Sequence, residues 1–356
     1  MCEKMSVQSH SGPYSVLFDD QFLDGQGKLI EGQPHFLVDA NVAHLYVHAF
    51  RPIIESPRTL VIEATEENKS IERIIPLIER LVANKMRRGH TLIAIGGGII
   101  QDITCFIASI LLRGVTWKFV PTTLLAQADS CIGSKSSINL GHTKNILGTF
   151  NPPKEIIVCT KFLDTLEDKD IRSGLGEILK VHAIDSVATY DRLAADYDAL
   201  RSDRNVLLAY IRKALLIKQR FIEMDEFDRG IRNVLNYGHS FGHAIESATD
   251  FGVPHGIAVT MGMDMANYIA VLRGLLPESH YLRMKPALLQ NYATFAATNI
   301  PVDRLLSALM KDKKNTTDKL VLIFPVGEDA QAQLVEVAPD ELFQSQCKMF
   351  LNEMKA

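Results

Sequence analysis

Three histidines lie within one short stretch of the sequence, residues 236–256, which reads NYGHSFGHAIESATDFGVPHG. They are His239, His243 and His255, out of eleven histidines in the whole chain. Clustered imidazoles are typical of a metal site, although a buried polar network or coincidence also accounts for such a cluster. The stretch lacks the H-E-x-x-H pattern, so the chemistry of the zinc proteases, which needs that glutamate as a base, is excluded.

Helical spacing would place part of this stretch on one face of a helix. Hydrophobic periodicity predicts a helix over 231–249. On that helix Asn236, His239 and His243 occupy positions i, i+3 and i+7, and Arg232 lies one turn earlier. These four side chains are therefore expected to lie next to one another.

A catalytic zinc ion usually has three protein ligands, often including a carboxylate, and one open position. His255 follows a Gly-Val-Pro turn and begins a further predicted helix, so it can fold back towards His239. Glu177, in SGLGEILKVHA, is the candidate carboxylate, with Lys180 one turn further along. The residues alone leave both a metal site and a buried polar network open.

A glycine-rich turn in AIGGGIIQD, residues 94–102, joins a predicted strand to a predicted helix. Glycine lets the backbone approach a ligand closely, and a helix N-terminus presents free N–H groups to a diphosphate. A tight turn with close helix–sheet packing is the alternative. Asp39 ends an early strand and suits ribose hydroxyls, while Thr122 and Thr123 follow another strand. Together these residues predict a nucleotide site at one edge of the sheet.

Lys135 stands in residues 129–148, DSCIGSKSSINLGHTKNILG, whose small polar residues predict a loop. A lysine in a loop rich in serine and glycine suits a phosphate or a carboxylate. Each of the other basic candidates, taken alone, is more typical of a solvated surface: Lys144, Lys218, Arg232, Lys313 and Lys314.

The elements that must position these residues change in character along the chain. Alternating strands and helices predict a Rossmann-like, mostly parallel sheet in an α/β domain, residues 1–165. Helices dominate the remainder, which predicts a mainly α-helical metal-binding domain at 166–356, with the active site in the cleft between the two. The predicted strands are 35–39, 59–64, 91–96, 117–122 and 155–159, with a hairpin near 319–337. The predicted helices are 69–88, 98–112, 170–199, 201–225, 231–249, 255–274 and 302–311, with a final helix at the end of the chain.

Composition limits the class of protein. The 356 residues carry a net charge of −4, which gives no electrostatic case for nucleic acid or an anionic membrane as partner. The five cysteines are scattered without a C-x-x-C pair, which predicts reduced thiols in a cytoplasmic protein. The N-terminus lacks the apolar segment of a secretory signal, and the longest apolar stretch, residues 91–112, is broken by glycines and polar residues.

Six motifs together resemble the sugar phosphate cyclase family, and within it the 3-dehydroquinate synthases, over residues 35–325. These motifs are GGGIIQD, RGVTWKFVPTTLLAQADS, KNILGTFNPP, GLGEILK, LNYGHSFGHAIE and HGIAV. The resemblance implies an enzyme that uses NAD and zinc, or cobalt in its place, works in the cytoplasm as a homodimer, and takes a small sugar phosphate as substrate.

The resemblance also implies roles for individual residues. Zinc would be held by Glu177, His239 and His255, with His243 beside the substrate. NAD would contact Asp39, Asn41, Glu66, Lys69, Gly97, Gly98, Ile99, Asp102, Thr122, Thr123, Lys144, Phe162 and Thr165. The substrate would be held by Arg113, Asp129, Lys135, Asn145, Lys180, Lys218, Arg232, Asn236 and one lysine of the Lys313–Lys314 pair, for which Lys314 is preferred.

The implied reaction converts 3-deoxy-D-arabino-heptulosonate 7-phosphate to 3-dehydroquinate and phosphate. NAD oxidises a ring hydroxyl transiently, which acidifies the neighbouring C–H and lets phosphate leave by β-elimination. The hydride then returns, and an intramolecular aldol step closes the carbocycle. Zinc polarises the reacting oxygens, and because the nicotinamide is regenerated in each turnover, NAD acts as a cofactor rather than a substrate.

Three positions depart from the family pattern and keep rival functions open. GSKSSIN replaces G-K-T-G around Lys135, HGIA has Ile257 in place of an acidic residue, and FNPP replaces F-Y-Q-P. The rivals are a paralogous cyclase acting on sedoheptulose 7-phosphate, glucose 6-phosphate or an amino analogue, a metal-dependent polyol dehydrogenase, and a non-catalytic binding module.

Arg232 and Asn236 favour a substrate with a carboxylate, because a planar two-pronged donor suits that group. A dehydrogenase would need no lysine cluster and typically has aspartate where Glu177 stands.

Overall fold

The computed structural model describes residues 3–25, 29, 33–141, 143–311, 315–316 and 318–354. The chain folds into two compact units, Met1–Leu166 with Gln219–Phe227, and Glu167–Lys218 with Asp228–Ala356. Lys313 and Lys314, one of which was expected to contact substrate, lie outside the described residues.

The first unit is built on a mostly parallel sheet, as the sequence predicts. Among the described residues this sheet has seven strands in the order β1-β2-β9-β6-β5-β3-β4, with only β1 antiparallel to its neighbour. Its strands and helices are β1 (Glu3–Val7), β2 (Tyr14–Phe18), β3 (His35–Asp39), α1 (Ala40–Leu45), α2 (Arg51–Ile54), β4 (Thr59–Ile62), α3 (Ile71–Ala83), β5 (Thr91–Gly96), α4 (Gly98–Ile110), β6 (Thr116–Pro121), β7 (Lys135–Leu140), β8 (Thr143–Phe150) and β9 (Glu155–Val158).

The central strands read as continuous apolar runs because both faces of the sheet are covered. Five of the six positions of β5 are buried, and all five positions of β3 are buried. The predicted α/β class is therefore confirmed. The first two strands were not anticipated, since β1 carries Lys4 and Ser6 among its apolar residues and pairs at the edge of the sheet.

The prediction of a loop over 129–148 is wrong, because most of that segment forms an antiparallel hairpin of β7 and β8. Two of its serines, Ser136 and Ser137, are buried or half-buried and hydrogen-bonded within the fold. Ser136 Oγ lies 2.8 Å from Thr149 Oγ1 across the hairpin, and the Ser137 N–H donates to Asp102 Oδ1 at 3.1 Å. Lys135 is therefore the first residue of a strand, and Lys144 lies in the strand that pairs with it.

The second unit is mainly helical, as expected, with one two-stranded hairpin among its described residues. Its elements are α5 (Asp168–Asp185), α6 (Val187–Ala195), α7 (Tyr197–Ser202), α8 (Arg204–Met224), α9 (His239–Ala248), α10 (His255–Leu272), α11 (Glu278–Tyr292), α12 (Val302–Met310), β10 (Leu320–Val326), β11 (Gln331–Val337) and α13 (Glu341–Met354). Helix α10 is the centre of this unit, since it is buried on all sides from Gly256 to Asn267.

Two predictions about these helices need correction. The single helix expected over 170–199 is divided into α5, α6 and the start of α7, because Ser186 adopts an extended conformation and its hydroxyl accepts the Thr189 N–H at 3.2 Å, capping a new helix. Helix α11 was not anticipated at all. The hairpin near 319–337 and the final helix are confirmed.

The last turn of α8 is held by residues from the N-terminal segment of the first unit. Glu226, just beyond the helix, accepts the Ser9 hydroxyl at 2.6 Å and the His10 N–H at 2.7 Å. Phe227 packs edge-on against Phe150 of the β7–β8 hairpin, with ring centroids 5.0 Å apart. These contacts explain why Gln219–Phe227 belongs to the first unit although the rest of α8 belongs to the second.

The cysteines are consistent with the thiol prediction from sequence. Cys105, Cys131, Cys159 and Cys347 are buried thiols, while Cys2 lies outside the described residues. Within the part of the chain that the structure describes, no helix combines the length and the apolar character that crossing a bilayer requires.

Candidate active site

A glycine between two helical segments decides where the histidine-bearing helix begins. Gly238 has φ +78°, in the left-handed region, and separates a 3-10 turn, Ile231–Asn236, from helix α9. A Cβ on Gly238 would lie 2.7 Å from the carbonyl oxygen of Val259, so a side chain has no room there. The continuous helix predicted over 231–249 is therefore wrong. Of the four side chains expected to share one helix face, His239 and His243 do so. Arg232 and Asn236 belong to the preceding 3-10 turn.

Helices α5 and α10 cross at unusually close range, and this crossing places Glu177 beside His255. A Cβ on Gly256 would lie 1.8 Å from the carbonyl oxygen of Ser173, and one on Gly176 would lie 2.1 Å from the carbonyl oxygen of Gly256. The Gly256 N–H donates to Ser173 Oγ at 2.9 Å, which satisfies one of the free donors at the start of α10. Two glycines thus bring the backbones into contact immediately beside two candidate ligands.

Two of the candidate metal ligands, His239 and His255, face one buried carboxylate oxygen of the third, Glu177. Glu177 Oε1 lies 3.5 Å from His255 Nε2 and 3.8 Å from His239 Nε2, too far for hydrogen bonds. Two ligands of a tetrahedral zinc ion at its usual bond lengths are about 3.4 Å apart, so these separations suit an ion placed between the three atoms. The same oxygen is buried without a hydrogen-bond partner in the described structure, which a cation would supply. The residues therefore fit zinc.

Burial and the neighbouring Lys180 charge leave Glu177 and His239 able to bind a cation. The Lys180 ammonium donates to the second carboxylate oxygen of Glu177, Oε2, which leaves Oε1 directed at the histidines. Burial, followed by the nearby Lys180 charge, holds the pKa of His239 well below its usual range, so its imidazole is neutral and has a lone pair for a metal. Glu177 and Lys180 are both buried, with side chains 1% and 3% exposed.

His243 lies beside this group and is more exposed than the other two histidines. Its ring centroid is 5.3 Å from that of His239 and 5.5 Å from that of His255, and ring nitrogens of the three residues lie within 4.8 Å of one another. A ligand set of three histidines is therefore also compatible with distance. The unpartnered oxygen of Glu177 favours the set that includes the carboxylate, which leaves His243 outside the ligand set.

One residue in contact with the site was not singled out from the sequence. Glu246 Oε2 lies 3.1 Å from Nδ1 of His255, on the side of the ring away from Glu177. Along helix α9, Glu246 follows His239 by seven residues and His243 by three, so all three lie on one helix face. This spacing is visible in the sequence and could have identified Glu246.

The edge of the sheet expected to bind a nucleotide is formed in the first unit. Strands β3, β5 and β6 are adjacent and parallel, so Asp39, Gly97 and Thr123 meet where those strands end. A Cβ on Gly97 would lie 3.0 Å from the Thr123 side chain, and Gly97 caps helix α4. Asp39 accepts the Asn41 N–H at 2.9 Å, and burial raises the pKa of its carboxyl group. Thr122, Gly98 and Ile99 adjoin the same edge in sequence.

Four further predicted contacts form a single polar network in the first unit. Lys69 Nζ donates to Asn145 Oδ1 at 2.9 Å and to Asp102 Oδ2 at 3.3 Å, and lies 3.7 Å from Glu66 Oε1. Burial raises the pKa of Asp102 to about 6, although the Lys69 charge opposes the shift. The structure thus connects three residues expected to contact NAD with Asn145, expected to contact substrate.

Five other predicted residues lie in several elements of the two units. Phe162 is buried in an aromatic cluster with Phe50, so only its backbone is available to a ligand. Arg113 follows helix α4, whose 13 residues run about 20 Å away from Gly97 towards the opposite edge of the sheet. The remaining predicted residues have these positions: Asp129 in a π-helical turn after β6, Thr165 within 3.0 Å of the Tyr46 hydroxyl, and Lys218 buried near the end of α8.

Comparison with known proteins finds relatives that cover nearly the whole chain. The 3-dehydroquinate synthase from Alkaliphilus metalliredigens is 32% identical over 346 residues, covering 96% of this chain and 97% of its own. The structure of the 2-epi-5-epi-valiolone synthase ValA from Streptomyces hygroscopicus subsp. jinggangensis, with NAD+ and Zn2+ bound, aligns with a TM-score of 0.82 at 25% identity, covering 96% of both chains. A 2-deoxy-scyllo-inosose synthase structure with carbaglucose-6-phosphate, NAD+ and Co2+ shares the fold, with a TM-score of 0.82 at 22% identity, and covers 98% of this chain and 100% of its own.

Matches over both halves of the chain show which family it belongs to. Residues 59–173 match the model for the N-terminal part of 3-dehydroquinate synthase, and residues 174–315 match the model for its C-terminal part. The resemblance drawn from the six sequence motifs is thereby confirmed. The chain belongs to the 3-dehydroquinate synthase family.

Proposed function

We propose that this protein is a carbon–oxygen lyase that converts 3-deoxy-D-arabino-heptulosonate 7-phosphate to 3-dehydroquinate and phosphate. The observation that carries the proposal is the unpartnered oxygen of Glu177 facing His239 and His255, within a chain whose two halves match this family. The named relatives support this substrate over those of the solved cyclases, which are less similar in sequence.

Glu177, His239 and His255 would hold the metal, zinc or cobalt, which when bound supplies Lewis acidity to the substrate's hydroxyl and carbonyl oxygens. NAD would lie along the sheet edge at Asp39, Gly97 and Thr123 and supply reversible hydride exchange. Both cofactors occur in the solved relatives, NAD+ with Zn2+ in one and with Co2+ in the other.

The protein's own contribution is to bind an acidic molecule and to move protons. Lys180, Lys218 and Arg232 are three cationic residues of the second unit that are at most 8% exposed, which suits a substrate carrying both a carboxylate and a phosphate. His243 has a ring nitrogen close to those of His239 and His255, so it is the group we assign to accept and return a proton at a substrate hydroxyl.

A panel of sugar phosphates tests this function against its rivals. With NAD and zinc present, the protein should release phosphate fastest from the heptulosonate 7-phosphate, and the product should be identified as 3-dehydroquinate by mass. Faster release from sedoheptulose 7-phosphate, glucose 6-phosphate or the amino analogue would instead assign one of the paralogous cyclase activities. No release from any of them would favour the dehydrogenase or the binding module.

Arg232 provides a sharper test of the substrate's carboxylate. Arg232→Lys keeps the charge but loses the two-pronged hydrogen bond, so we expect kcat/KM for the heptulosonate to fall about ten- to a hundred-fold, or roughly 1.5–3 kcal/mol. Zinc content should not change. Arg304→Lys is the matched control, because Arg304 pairs with Asp250 at the surface of the same unit. Equal losses on acidic and neutral sugar phosphates would show that Arg232 does not recognise a carboxylate.

A homodimer would account for the position of Arg113. This residue follows a helix that leads away from the nucleotide edge of its own sheet, which supports a role for it at the site of a second copy. We therefore propose a dimer. We also propose a cytoplasmic location, supported by the buried thiols of the four described cysteines, and a place in the shikimate pathway, which leads to the aromatic amino acids.

A further inference from the structure

Glu246 contacts the candidate metal centre without being one of its proposed ligands. Its carboxylate lies against Nδ1 of His255 at 3.1 Å, while Nε2 of the same ring faces Glu177 at 3.5 Å. The side chain of Glu246 is 14% exposed and that of His255 is 34% exposed. His255 is therefore held between two carboxylates, one on each ring nitrogen.

We propose that Glu246 is a positioning residue for the metal centre, fixing His255 with Nδ1 protonated and Nε2 directed at the ion. This inference rests on the proposed assignment of Glu177, His239 and His255 as ligands. An ionised carboxylate only accepts hydrogen bonds, so the ring nitrogen facing Glu246 must carry the proton. With an ion between Nε2 and Glu177, Nε2 would direct its lone pair at that ion.

The two ligand histidines differ in how much they need such a partner. His239 is the first residue of α9, its side chain is 14% exposed, and its Nδ1 faces the carbonyl oxygen of Tyr237 at 3.4 Å. His255 is more exposed and begins α10 directly after Pro254, so its ring has fewer neighbours to restrict rotation. A charged acceptor at 3.1 Å restricts the ring and also raises the basicity of Nε2 as a ligand.

The contact between Glu246 and His255 follows from the spacing of residues along helix α9. Helix α9 presents His239 and Glu246 on the same face, two turns apart, and that face packs against α10, which carries His255. One helix therefore supplies both a ligand and the group that orients a second ligand from its neighbour.

Zinc affinity is the direct readout, measured on the full-length protein by competition with a chromophoric chelator. Glu246→Ala should bind zinc about ten- to a hundred-fold more weakly, the usual cost of losing a partner of a metal-bound histidine. Glu246→Gln keeps a neutral acceptor and should recover part of that loss. Asp250→Asn is the matched control, because it removes a carboxylate just past the same helix that pairs with Arg304 and should leave the affinity unchanged.

A second readout separates positioning from general stability. In cobalt-loaded protein, the visible absorption bands should shift in Glu246→Ala and stay in place in Asp250→Asn, while the melting temperatures of the metal-free proteins remain similar. Should Glu246→Ala fail to fold, Glu246→Asp replaces it, since the shorter side chain keeps the charge but lengthens the contact, and it should also bind zinc more weakly.

The outcomes distinguish this inference from the function on which it rests. Wild-type protein that binds no zinc would overturn both. Wild-type protein that binds zinc, with Glu246→Ala or its aspartate replacement binding equally well, would overturn the role of Glu246 alone. A Glu246→Gln variant as weak as Glu246→Ala would also contradict it, because hydrogen-bond acceptance would then not be what the residue supplies.

Discussion

Replacing His239 with alanine is expected to remove bound zinc and phosphate release together. His239 Nε2 is one of the two nitrogens that face the buried oxygen of Glu177, and a site with two remaining ligands no longer encloses an ion. The zinc affinity should fall further than the ten- to hundred-fold cost of losing an orienting partner, and turnover should fall at least about a hundred-fold. Elemental analysis and phosphate release measured on the same preparation check both.

His243→Ala is the matched comparison, because it removes an imidazole from the same helix face without removing a proposed ligand. This variant should keep stoichiometric zinc and lose turnover, by about a hundred- to ten-thousand-fold for a group that transfers protons. If His243→Ala also lost its zinc, the three-histidine ligand set would replace the one assigned. Zinc retained by His239→Ala would contradict both sets.

Gly256→Ala is expected to damage the site without touching a ligand. The added methyl group would lie 1.8 Å from the carbonyl oxygen of Ser173, a backbone atom that cannot rotate away, so helices α5 and α10 must move apart. Overpacking of this kind costs roughly 3 kcal/mol, which would lower the melting temperature by about 6–12 °C in a unit of this size. The same displacement separates Glu177 from His255, so zinc affinity should fall at least about tenfold.

Gly89→Ala is a suitable control, because a Cβ there meets no atom within 4 Å. It should leave both the melting temperature and the zinc affinity close to those of the wild type, as measured by calorimetry and chelator competition. Unchanged zinc affinity in Gly256→Ala would mean that the helix crossing does not set the distance between Glu177 and His255.

Much of the first unit could be predicted because parallel strands leave a strong local signal. The apolar run of β5, ending in the glycines at Gly97 and Gly98, identifies a strand, a turn and a helix without knowledge of the rest of the chain. The β7–β8 hairpin could not be predicted in the same way. Ser136 and Ser137 have the composition of a loop, and they are buried or half-buried only because Thr149 and Asp102 supply hydrogen bonds from elsewhere in the unit.

In the second unit the sequence identified the residues of the candidate site but not the backbone conformation that carries them. His239, His243, His255 and Glu177 come together as expected, yet the helix that was to align Arg232 with the histidines ends at Asn236. The left-handed conformation of Gly238 depends on close packing against Val259, a contact from a different helix. Glu246 was within reach of helical spacing, but its partner His255 lies on another helix, which only the structure shows.

Redox accounting in one reaction mixture tests the central claim most directly. The protein would be given the heptulosonate 7-phosphate, zinc and a small amount of NAD, with phosphate release and reduced nicotinamide followed together. The proposed lyase should release many phosphates for each NAD, form 3-dehydroquinate in equal amount, and accumulate no NADH, because the hydride returns to the substrate in every turnover. NADH rising in step with substrate consumption, without phosphate release, would contradict the account and assign the protein as a dehydrogenase.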